Sequence, residues 1–370
     1  MILGLFTQLL TAGGIERVGR HTAVVLADLA RARGEAYRVL SLNDPPGDHH
    51  VRVGSLDARV TGFGRSKRRF VQSALALARR ATIAYFGHPR LAQVALLLRI
   101  LSPRLRYWVH IHGVEAWDPL PGPTRAALRF ATGIVSISRY TADRASEIQQ
   151  VTRDKINLVP NALDPDMLTR PGALVGRPAF LPQHAKVLLT VARLAANERY
   201  KGVDTVVLAI PAVLRAVPDA VYVIIGDGDD RGRLERLAAE MKVVPNVLFV
   251  GHCSEEELIG AYRHCDVFVM PSRGEGFGVV FLEAMTFGKP VVAGAHGGAP
   301  EVVAEGETGF LVDGDAAPDV ADRVVRLLTD EGLRARMGDA GRRRVETHFT
   351  FEHFRQRIAA LLTDIPGARR

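Results

Sequence analysis

The chain has 370 residues, of which 47% are hydrophobic and 24% charged, and its formal net charge is +8. This length and composition are typical of a globular protein with two domains and exclude an intrinsically disordered chain. The two cysteines, Cys253 and Cys265, exclude a disulfide framework, so we expect core thiols and the reducing cytoplasm.

Apolar runs rich in β-forming residues alternate with helical patterns in the front half. The first run, MILGLF, lacks a basic leader and a small-residue cleavage site, which favours a buried strand over a signal peptide. Strands are predicted at YRVLSL, TIAYFG, LRYWVHIHG, TGIVSIS and INLVPN, with helices over 15–33, over 67–80 and near Leu91. The run LAQVALLLRIL contains Arg99 and is shorter than the about 20 residues of a transmembrane helix.

The same alternation continues in the back half. Strands are predicted at KVLLTVARL, AVYVIIGDG, VLFVG, DVFVMP, KPVVAG and GFLV, with helices over 205–216, 231–241 and 279–286. Strands that alternate with helices indicate parallel sheets with crossover helices. Prolines and glycines cluster over residues 160–180, which predicts a domain boundary. We therefore expect an α/β protein with two Rossmann-like domains, residues 1–168 and 169–349, and a ligand cleft at the carboxyl ends of their strands.

Two glutamates eight positions apart stand in the stretch PSRGEGFGVVFLEAMTFGKP, residues 271–290. Glu275 lies in a glycine-rich turn and Glu283 in the predicted helix, whose N-terminus can bind an anion. Eight residues of helix span about 12 Å, whereas the carboxyl pair of a retaining glycosidase is about 5 Å apart. The pair is thus suited to hold two ends of an elongated hydroxyl-bearing ligand, such as a sugar nucleotide. Solvated surface glutamates are the alternative.

Several motifs follow one another in a characteristic order. They are TAGGIERV, VARLAANERYKG, IIGDGDDRGRL, VLFVGHCSEEEL, GEGFGVVFLE and GGAPEVVAEGETGFLV. With these motifs the sequence resembles glycosyltransferase family 4, the retaining enzymes with the GT-B fold. The resemblance implies two Rossmann-like domains whose parallel sheets face each other across a cleft, and a C-terminal helix over residues 350–370 that crosses back to the first domain.

The resemblance also implies roles for individual residues. Arg193 and Lys201 would hold the donor diphosphate, Glu275 the hydroxyls of the transferred sugar, and His112 the sugar near the transition state; these four are the expected catalytic residues. Glu283 would accept hydrogen bonds from the ribose. The other expected donor-binding residues contribute mainly backbone groups: Gly13, Gly14, Gly226, Cys253, Gly276, Phe277, Gly278 and Val279.

Two motifs invite a metal-site interpretation. His110 and His112 point the same way on a strand, but a third candidate ligand is lacking nearby, so core packing or ring hydrogen bonding is favoured for His110. Asp227, Gly228 and Asp229 form the Asp-x-Asp pattern of metal-dependent transferases with another fold. Because they fall at a strand-to-helix turn, we attribute the acids to helix capping. We expect neither a metal ion nor a cofactor.

The implied reaction is retaining transfer of a hexose, such as glucose or mannose, from a nucleoside diphosphate sugar to an acceptor hydroxyl. The expected acceptor is a lipid-linked saccharide or a glycolipid in envelope or exopolysaccharide synthesis. Three alternatives remain: a GT-B protein that binds a sugar nucleotide without transfer, a transferase for a soluble small molecule, and an enzyme of phosphorolysis or epimerisation.

Residues 51–110 hold twelve basic residues and one acidic residue, whereas residues 171–310 hold thirteen basic and seventeen acidic residues. Within the basic segment, Phe70, Ala74, Leu77 and Ala78 lie near one helical face, a pattern suited to an anionic membrane surface. The alternative is that this face packs on the core. Nucleic acid is not an expected partner, because no recognition motif or aromatic stacking set accompanies the basic residues. We expect a cytoplasmic protein, peripheral at the inner face of the membrane.

Overall fold

The computed structural model describes residues 1–11, 13–169 and 175–363. The chain forms two compact units, one of Met1–Asp166 together with the segment that begins at Phe349, the other of Met167–His348. The second unit is therefore inserted into the first. The sequence predicted the domain boundaries directly after residue 168 and directly after residue 349.

The first unit is built on an eight-stranded sheet in the order β3-β4-β2-β1-β5-β6-β7-β8. All neighbouring strands are parallel except β3 and β4, which form an antiparallel hairpin. The central strand β1 is buried along its whole length, as its apolar sequence predicts. The strands are β1 (Ile2–Phe6), β2 (Tyr37–Ser41), β3 (Gly47–Val53), β4 (Leu56–Gly62), β5 (Ile83–Phe86), β6 (Arg106–Ile111), β7 (Gly133–Ser136) and β8 (Ile156–Leu158).

Helices cover the sheet of the first unit and complete its core. The helices in chain order are α1 (Gly14–Ala32), α2 (Lys67–Ala78), α3 (Gln93–Leu101), α4 (Gly122–Phe130), α5 (Arg139–Gln149) and, at the junction of the units, α6 (Pro165–Thr169). The C-terminal helix α14 (Phe351–Thr363) packs on α1, where Phe354 and Ile358 join a shared apolar cluster. The Arg355 guanidinium lies 3.0 Å from the Asp28 carboxylate of α1.

The apolar face of α2 packs on the core of the first unit. Phe70, Ala74 and Ala78 are buried, and Leu77 packs against the same cluster. The alternative, that this face packs on the core, is therefore correct. The interpretation of the face as a membrane-binding surface is wrong. The basic residues of the segment Arg65–Arg69, by contrast, are exposed.

The second unit is built on a six-stranded, wholly parallel sheet in the order β11-β10-β9-β12-β13-β14. Its strands are β9 (Lys186–Val191), β10 (Ala220–Ile225), β11 (Val247–Gly251), β12 (Val267–Met270), β13 (Val291–Gly294) and β14 (Gly309–Val312). Its helices are α7 (Val203–Ala216), α8 (Arg231–Glu240), α9 (Glu255–His264), α10 (Val279–Thr286), α11 (Ala299–Val302), α12 (Ala317–Thr329) and α13 (Glu331–His348).

Each sheet has a point where the strand order reverses. In the first unit β2 and β5 lie on opposite sides of β1, and in the second β10 and β12 lie on opposite sides of β9. Ligands of open α/β sheets bind outside the carboxyl ends of the strands at such a point. The loops that follow β1 and β5, and those that follow β9 and β12, are therefore the places where a site is expected.

Among the residues that the structure describes, no helix is both long enough and apolar enough to cross a membrane.

Candidate functional site

The loop between β12 and α10 is held in an unusual backbone conformation. Gly278 precedes α10 with a φ of +88°, and a Cβ at this position would lie 2.3 Å from the Phe281 ring. Gly298 N–H donates to the Glu275 carbonyl at 2.7 Å, and a Cβ at Gly297 would lie 2.3 Å from that oxygen. Glycine is required at these close approaches, and the segment with Glu275 is fixed as a result.

The Glu275 side chain is partly exposed and accepts hydrogen bonds from the N–H groups of Gly276 and Phe277. Burial raises the pKa of its carboxyl above the ordinary value, while Lys201 and these two N–H groups lower it and Glu198 raises it further. Two backbone groups that the resemblance assigns to the donor thus orient Glu275 in this structure.

Glu283 lies on α10 and is 4% exposed. The Tyr262 hydroxyl of α9 donates to Glu283 Oε2 at 2.7 Å. The description of Glu283 as a solvated surface glutamate is therefore wrong. Burial with a hydroxyl donor fixes the carboxylate in one orientation, as a binding residue requires.

The two predicted diphosphate-binding cations share one carboxylate. Arg193 follows β9, and Lys201 ends a short 3-10 segment, Ala196–Lys201, that also contains Glu198. Glu198 Oε2 lies 2.6 Å from Lys201 Nζ, and the other carboxylate oxygen pairs with Arg193. The Glu198 and Lys201 side chains are nearly buried, at 10% and 15% exposure, whereas Arg193 is 77% exposed. Glu198 was not predicted from the sequence, although it stands three residues before Lys201.

This ion-paired group lies beside Glu275 because β9 and β12 are neighbouring parallel strands. Gly202, with a φ of +73°, brings the chain after Lys201 to the end of β12, where a Cβ would lie 2.5 Å from the Pro271 carbonyl. Burial, then Glu275, then Glu198 raise the pKa of the Tyr200 phenol. The structure thus places Arg193, Lys201 and Glu275 together with Glu198 and Tyr200 at the reversal point of the second sheet.

The glycine turn after β10 packs on the segment that carries Arg193. A Cβ at Gly226 would lie 1.9 Å from the Ala192 carbonyl, and its N–H donates to the Gly251 carbonyl at 2.8 Å. Asp229 accepts the Ala196 N–H at 2.7 Å, and Asp227 accepts the Gly228 N–H at 2.8 Å.

The attribution of the Asp-x-Asp acids to helix capping is wrong. The residue that precedes α8 is Asp230, which makes no capping bond with its side chain and instead pairs with Arg199 and Arg233. Asp227, Asp229 and Asp230 thus support the loop that carries Arg193. In the described part of the chain, no three His, Cys, Asp or Glu side chains are grouped to hold a metal ion.

Cys253 follows β11 and precedes the Ser254–Glu257 capping box of α9. Burial, with a contribution from Glu257, raises the pKa of its thiol. Cys265 is a buried core thiol, as expected, whereas Cys253 is only partly buried.

The first unit places Gly13 and His112 at the carboxyl edge of its own sheet, after β1 and β6, with β5 between these strands. Gly13 precedes α1 with a φ of +152°, and a Cβ there would lie 2.1 Å from a Glu16 carboxylate oxygen. Gly14 begins the helix, and a Cβ on this residue would meet nothing within 4 Å. The preceding loop is held by the Asp44 carboxylate, which accepts the Leu9 N–H at 2.8 Å.

His112 is one of three stacked or adjacent imidazoles. Its Nε2 donates to the Gly87 carbonyl at 2.8 Å, so in the neutral ring Nδ1 is an acceptor; this atom is buried and has no hydrogen-bond partner in the described residues. The His110 ring stacks on His112 at 4.3 Å and bonds to the Tyr85 hydroxyl at 2.9 Å, which agrees with the core role expected for it. Burial, then His112, lowers the pKa of His110 well below its usual range and that of His88 to about 3.

Comparisons with known proteins identify the family of the chain. The family model of glycosyl transferases group 1 matches residues 177–344. A GDP-mannose-dependent alpha-(1-6)-phosphatidylinositol monomannoside mannosyltransferase from Mycobacterium tuberculosis is 33% identical over 292 residues, 74% of this chain and 74% of the relative. A D-inositol 3-phosphate glycosyltransferase from Corynebacterium aurimucosum is 34% identical over 218 residues, 56% of this chain and 51% of the relative.

The fold comparison covers nearly the whole chain. The crystal structure of Anabaena HepE in complex with UDP matches with a TM-score of 0.77 at 19% identity, covering 98% of this chain and 100% of HepE. The family and the fold class expected from the sequence motifs are thereby confirmed. The chain belongs to the glycosyltransferases of family 4 and has the α/β GT-B fold with two parallel-sheet domains.

Proposed function

We propose that this enzyme transfers a hexosyl group from a nucleoside diphosphate sugar to a hydroxyl of a glycolipid, with retention of anomeric configuration and without a metal ion. The observation that carries the proposal is the group at the reversal point of the second sheet: Arg193 and Lys201 bridged by Glu198, with the oriented carboxylate of Glu275 beside them. Two adjacent cations and a hydroxyl acceptor are what a departing diphosphate and its sugar require.

In the proposed reaction the bond between the sugar C1 and the diphosphate oxygen breaks, and the acceptor oxygen bonds to C1 on the same face. The acceptor proton passes to the departing phosphate oxygen, so no residue of the enzyme forms a covalent bond. Arg193 and Lys201 stabilise the charge that grows on the diphosphate, which is the task a divalent ion would otherwise perform. Glu198 gives up its ion pairs to the phosphates when the donor binds.

The other second-unit residues are proposed to position the donor. Glu275 accepts hydrogen bonds from the hexose hydroxyls, and Glu283, oriented by Tyr262, accepts from the ribose. The amides that begin α10, at Gly278 and Val279, face the phosphate end with the positive end of the helix dipole. Backbone groups at Gly226 and Cys253 line the nucleoside.

The first unit is proposed to supply His112, Gly13 and Gly14. The buried Nδ1 of His112, which has no hydrogen-bond partner among the residues that the structure describes, would bind a sugar hydroxyl, because Nε2 is committed to the Gly87 carbonyl. The φ of +152° at Gly13, which favours glycine, supports a close backbone approach of the diphosphate to the start of α1.

The relatives support a choice of donor and acceptor. The mycobacterial relative is named for GDP-mannose and for phosphatidylinositol monomannoside, so a mannosyl donor and an inositol-containing glycolipid are our first choice. The second choice is a soluble inositol phosphate, because the corynebacterial relative is named for D-inositol 3-phosphate. A glycolipid acceptor also leads us to propose that the protein is peripheral at the inner face of the membrane. The exposed basic residues of the segment Arg65–Arg69 support this location.

The test is a panel of GDP- and UDP-sugars incubated with phosphatidylinositol monomannoside in vesicles or with D-inositol 3-phosphate, with and without EDTA. We expect acceptor-dependent release of nucleoside diphosphate, unaffected by EDTA, and an α-linked product from an α-linked donor by NMR. Donor binding without release for any acceptor would establish instead the sugar-nucleotide-binding protein without transfer. Loss of turnover in EDTA would overturn metal independence.

A further inference from the structure

A strip of apolar side chains is exposed on the first unit, on the two helices that follow α2 in the chain. The exposed fractions are 46% for Leu97, 75% for Ile100, 38% for Leu101 and 61% for Phe130. We call these four residues the α3–α4 strip. Exposed large apolar residues are ordinary when scattered singly, but a contiguous group of them indicates an interaction surface.

The strip spans two helices that are in contact, α3 and α4. Leu97, Ile100 and Leu101 have the spacing of one helical face, which borders the buried Val94 and Leu98. Phe130 ends α4, and Arg99 joins the two helices: its guanidinium donates to the Phe130 carbonyl at 3.2 Å and lies 6.0 Å from the centre of the Phe130 ring.

The segments that carry the strip bear charge of one sign. The segments 58–111 and 119–142, which contain α2, α3 and α4, have no acidic residue. These helices all end where the neighbouring parallel strands β5, β6 and β7 begin, so their last residues and the following turns lie along one edge of the sheet. The exposed basic residues at this edge and along the layer of these three helices include Arg79, Arg80, Arg90, Arg104 and Arg129.

We propose that the α3–α4 strip inserts into the interface of a bilayer that contains anionic lipids, while the surrounding arginines bind lipid phosphates. This inference deepens the proposed function, because a glycolipid acceptor has to be met at a membrane. Large apolar side chains within a basic surface are the composition of an interfacial anchor. A second copy of the chain is a poorer partner, since a twofold contact would bring the same arginines face to face.

The test is sedimentation of the full chain with vesicles of phosphatidylcholine, alone or with phosphatidylglycerol. We expect binding only when phosphatidylglycerol is present. The double variant Ile100→Ser/Phe130→Ser should bind at least about tenfold more weakly, because both side chains lose their apolar contact with the lipid. Its matched control is Leu208→Ser/Val244→Ser, which removes apolar residues of 42% and 55% exposure from the second unit and should bind like the parent. Arg80→Glu/Arg104→Glu should remove the effect of phosphatidylglycerol.

Circular dichroism establishes that each variant is folded. The proposal is overturned if Ile100→Ser/Phe130→Ser binds vesicles like the parent, if phosphatidylglycerol has no effect, or if the strip instead holds a dimer that the double variant dissociates in sedimentation without lipid. Donor turnover with D-inositol 3-phosphate is measured separately, without vesicles. It should be equal in the parent and in Ile100→Ser/Phe130→Ser. Vesicle binding without any turnover would overturn the proposed function and leave the membrane surface established.

Discussion

Glu198 places a negative charge where the proposed mechanism requires an incoming diphosphate. Its carboxylate pairs with Arg193 and Lys201 at once, and it is nearly buried between them. A carboxylate and a phosphate oxygen compete for the same donors of a guanidinium and an ammonium group. Part of the binding free energy of the diphosphate is therefore spent on releasing Glu198 from the two cations.

The variant Glu198→Gln tests this competition. The amide keeps the size of the side chain but removes its charge, so we expect GDP or UDP to bind about three- to tenfold more tightly, a modest effect because Arg193 is mostly exposed to solvent. Titration calorimetry measures the affinity, and Glu307→Gln, at an exposed carboxylate of the same unit, is the control. Weaker binding in Glu198→Gln would mean that the carboxylate holds the cations for the ligand.

Glu275 links activity to stability. Burial raises the pKa of its carboxyl above the ordinary 4.5, so ionisation begins to disfavour the native state as the pH rises above 4.5 and does so fully above the raised value. We expect Glu275→Gln to raise the melting temperature at neutral pH by on the order of 2 °C, and the gain to fade as the pH falls towards 4.5. The same variant should lose sugar transfer by about a hundredfold or more. Near-normal turnover would contradict the role assigned to Glu275.

The order of the motifs along the sequence predicted Arg193, Lys201 and Glu275, but not their arrangement. That Glu198 turns back to Arg193 depends on the 3-10 backbone of Ala196–Lys201, and that both approach Glu275 depends on the adjacency of β9 and β12. Neither follows from local pattern. Tyr200 was missed for the same reason.

At the scale of elements, the loop between β1 and α1 is held in place by one buried carboxylate. Asp44 accepts the N–H groups of Leu9 and Leu10 at 2.8 and 3.2 Å and the Ser41 hydroxyl at 2.5 Å. Arg20 adds bonds of 2.9 Å to the Leu9 and Thr11 carbonyls. The loop that leads to Gly13 is thus fixed from two sides.

Replacement of Asp44 by alanine leaves buried donors without an acceptor. We expect Asp44→Ala to lower the free energy of unfolding of the first unit by about 2–3 kcal/mol. Denaturant unfolding followed by far-ultraviolet circular dichroism measures the change. The exposed Asp154→Ala should differ little from the parent. An equally small effect at Asp44 would show that Arg20 suffices to hold the loop.

Most strands and crossover helices were predictable because each is a continuous apolar or amphipathic run. The helix predicted over 279–286 coincides with α10. The hairpin of β3 and β4 was missed, although residues of period two flank the two-residue turn at Gly54 and Ser55. The face of α2 was misassigned because an amphipathic pattern does not say whether core or membrane receives the apolar side.

At the scale of the molecule, each unit has its own apolar core, and the donor phosphates are proposed to be held chiefly by the second. A ligand that binds only the native state stabilises it according to its concentration relative to its dissociation constant, by about 2.7 kcal/mol at a hundredfold excess. We expect saturating nucleoside diphosphate to raise the melting transition of the second unit by about 5–10 °C. Scanning calorimetry should show no such shift in Arg193→Ala/Lys201→Ala. A shift that persists in this double variant would contradict the proposed phosphate contacts.

The return of the chain to the first unit has a consequence during synthesis. Phe354, Ile358 and Leu362 of α14 complete the apolar cluster under α1, yet they are made after the whole second unit. A nascent chain that has left the ribosome only as far as His348 can close the inserted domain, while the earlier-made one still exposes the apolar side of α1. The order of translation and the order of folding therefore differ, because the first unit can complete its core only after α14 has been made.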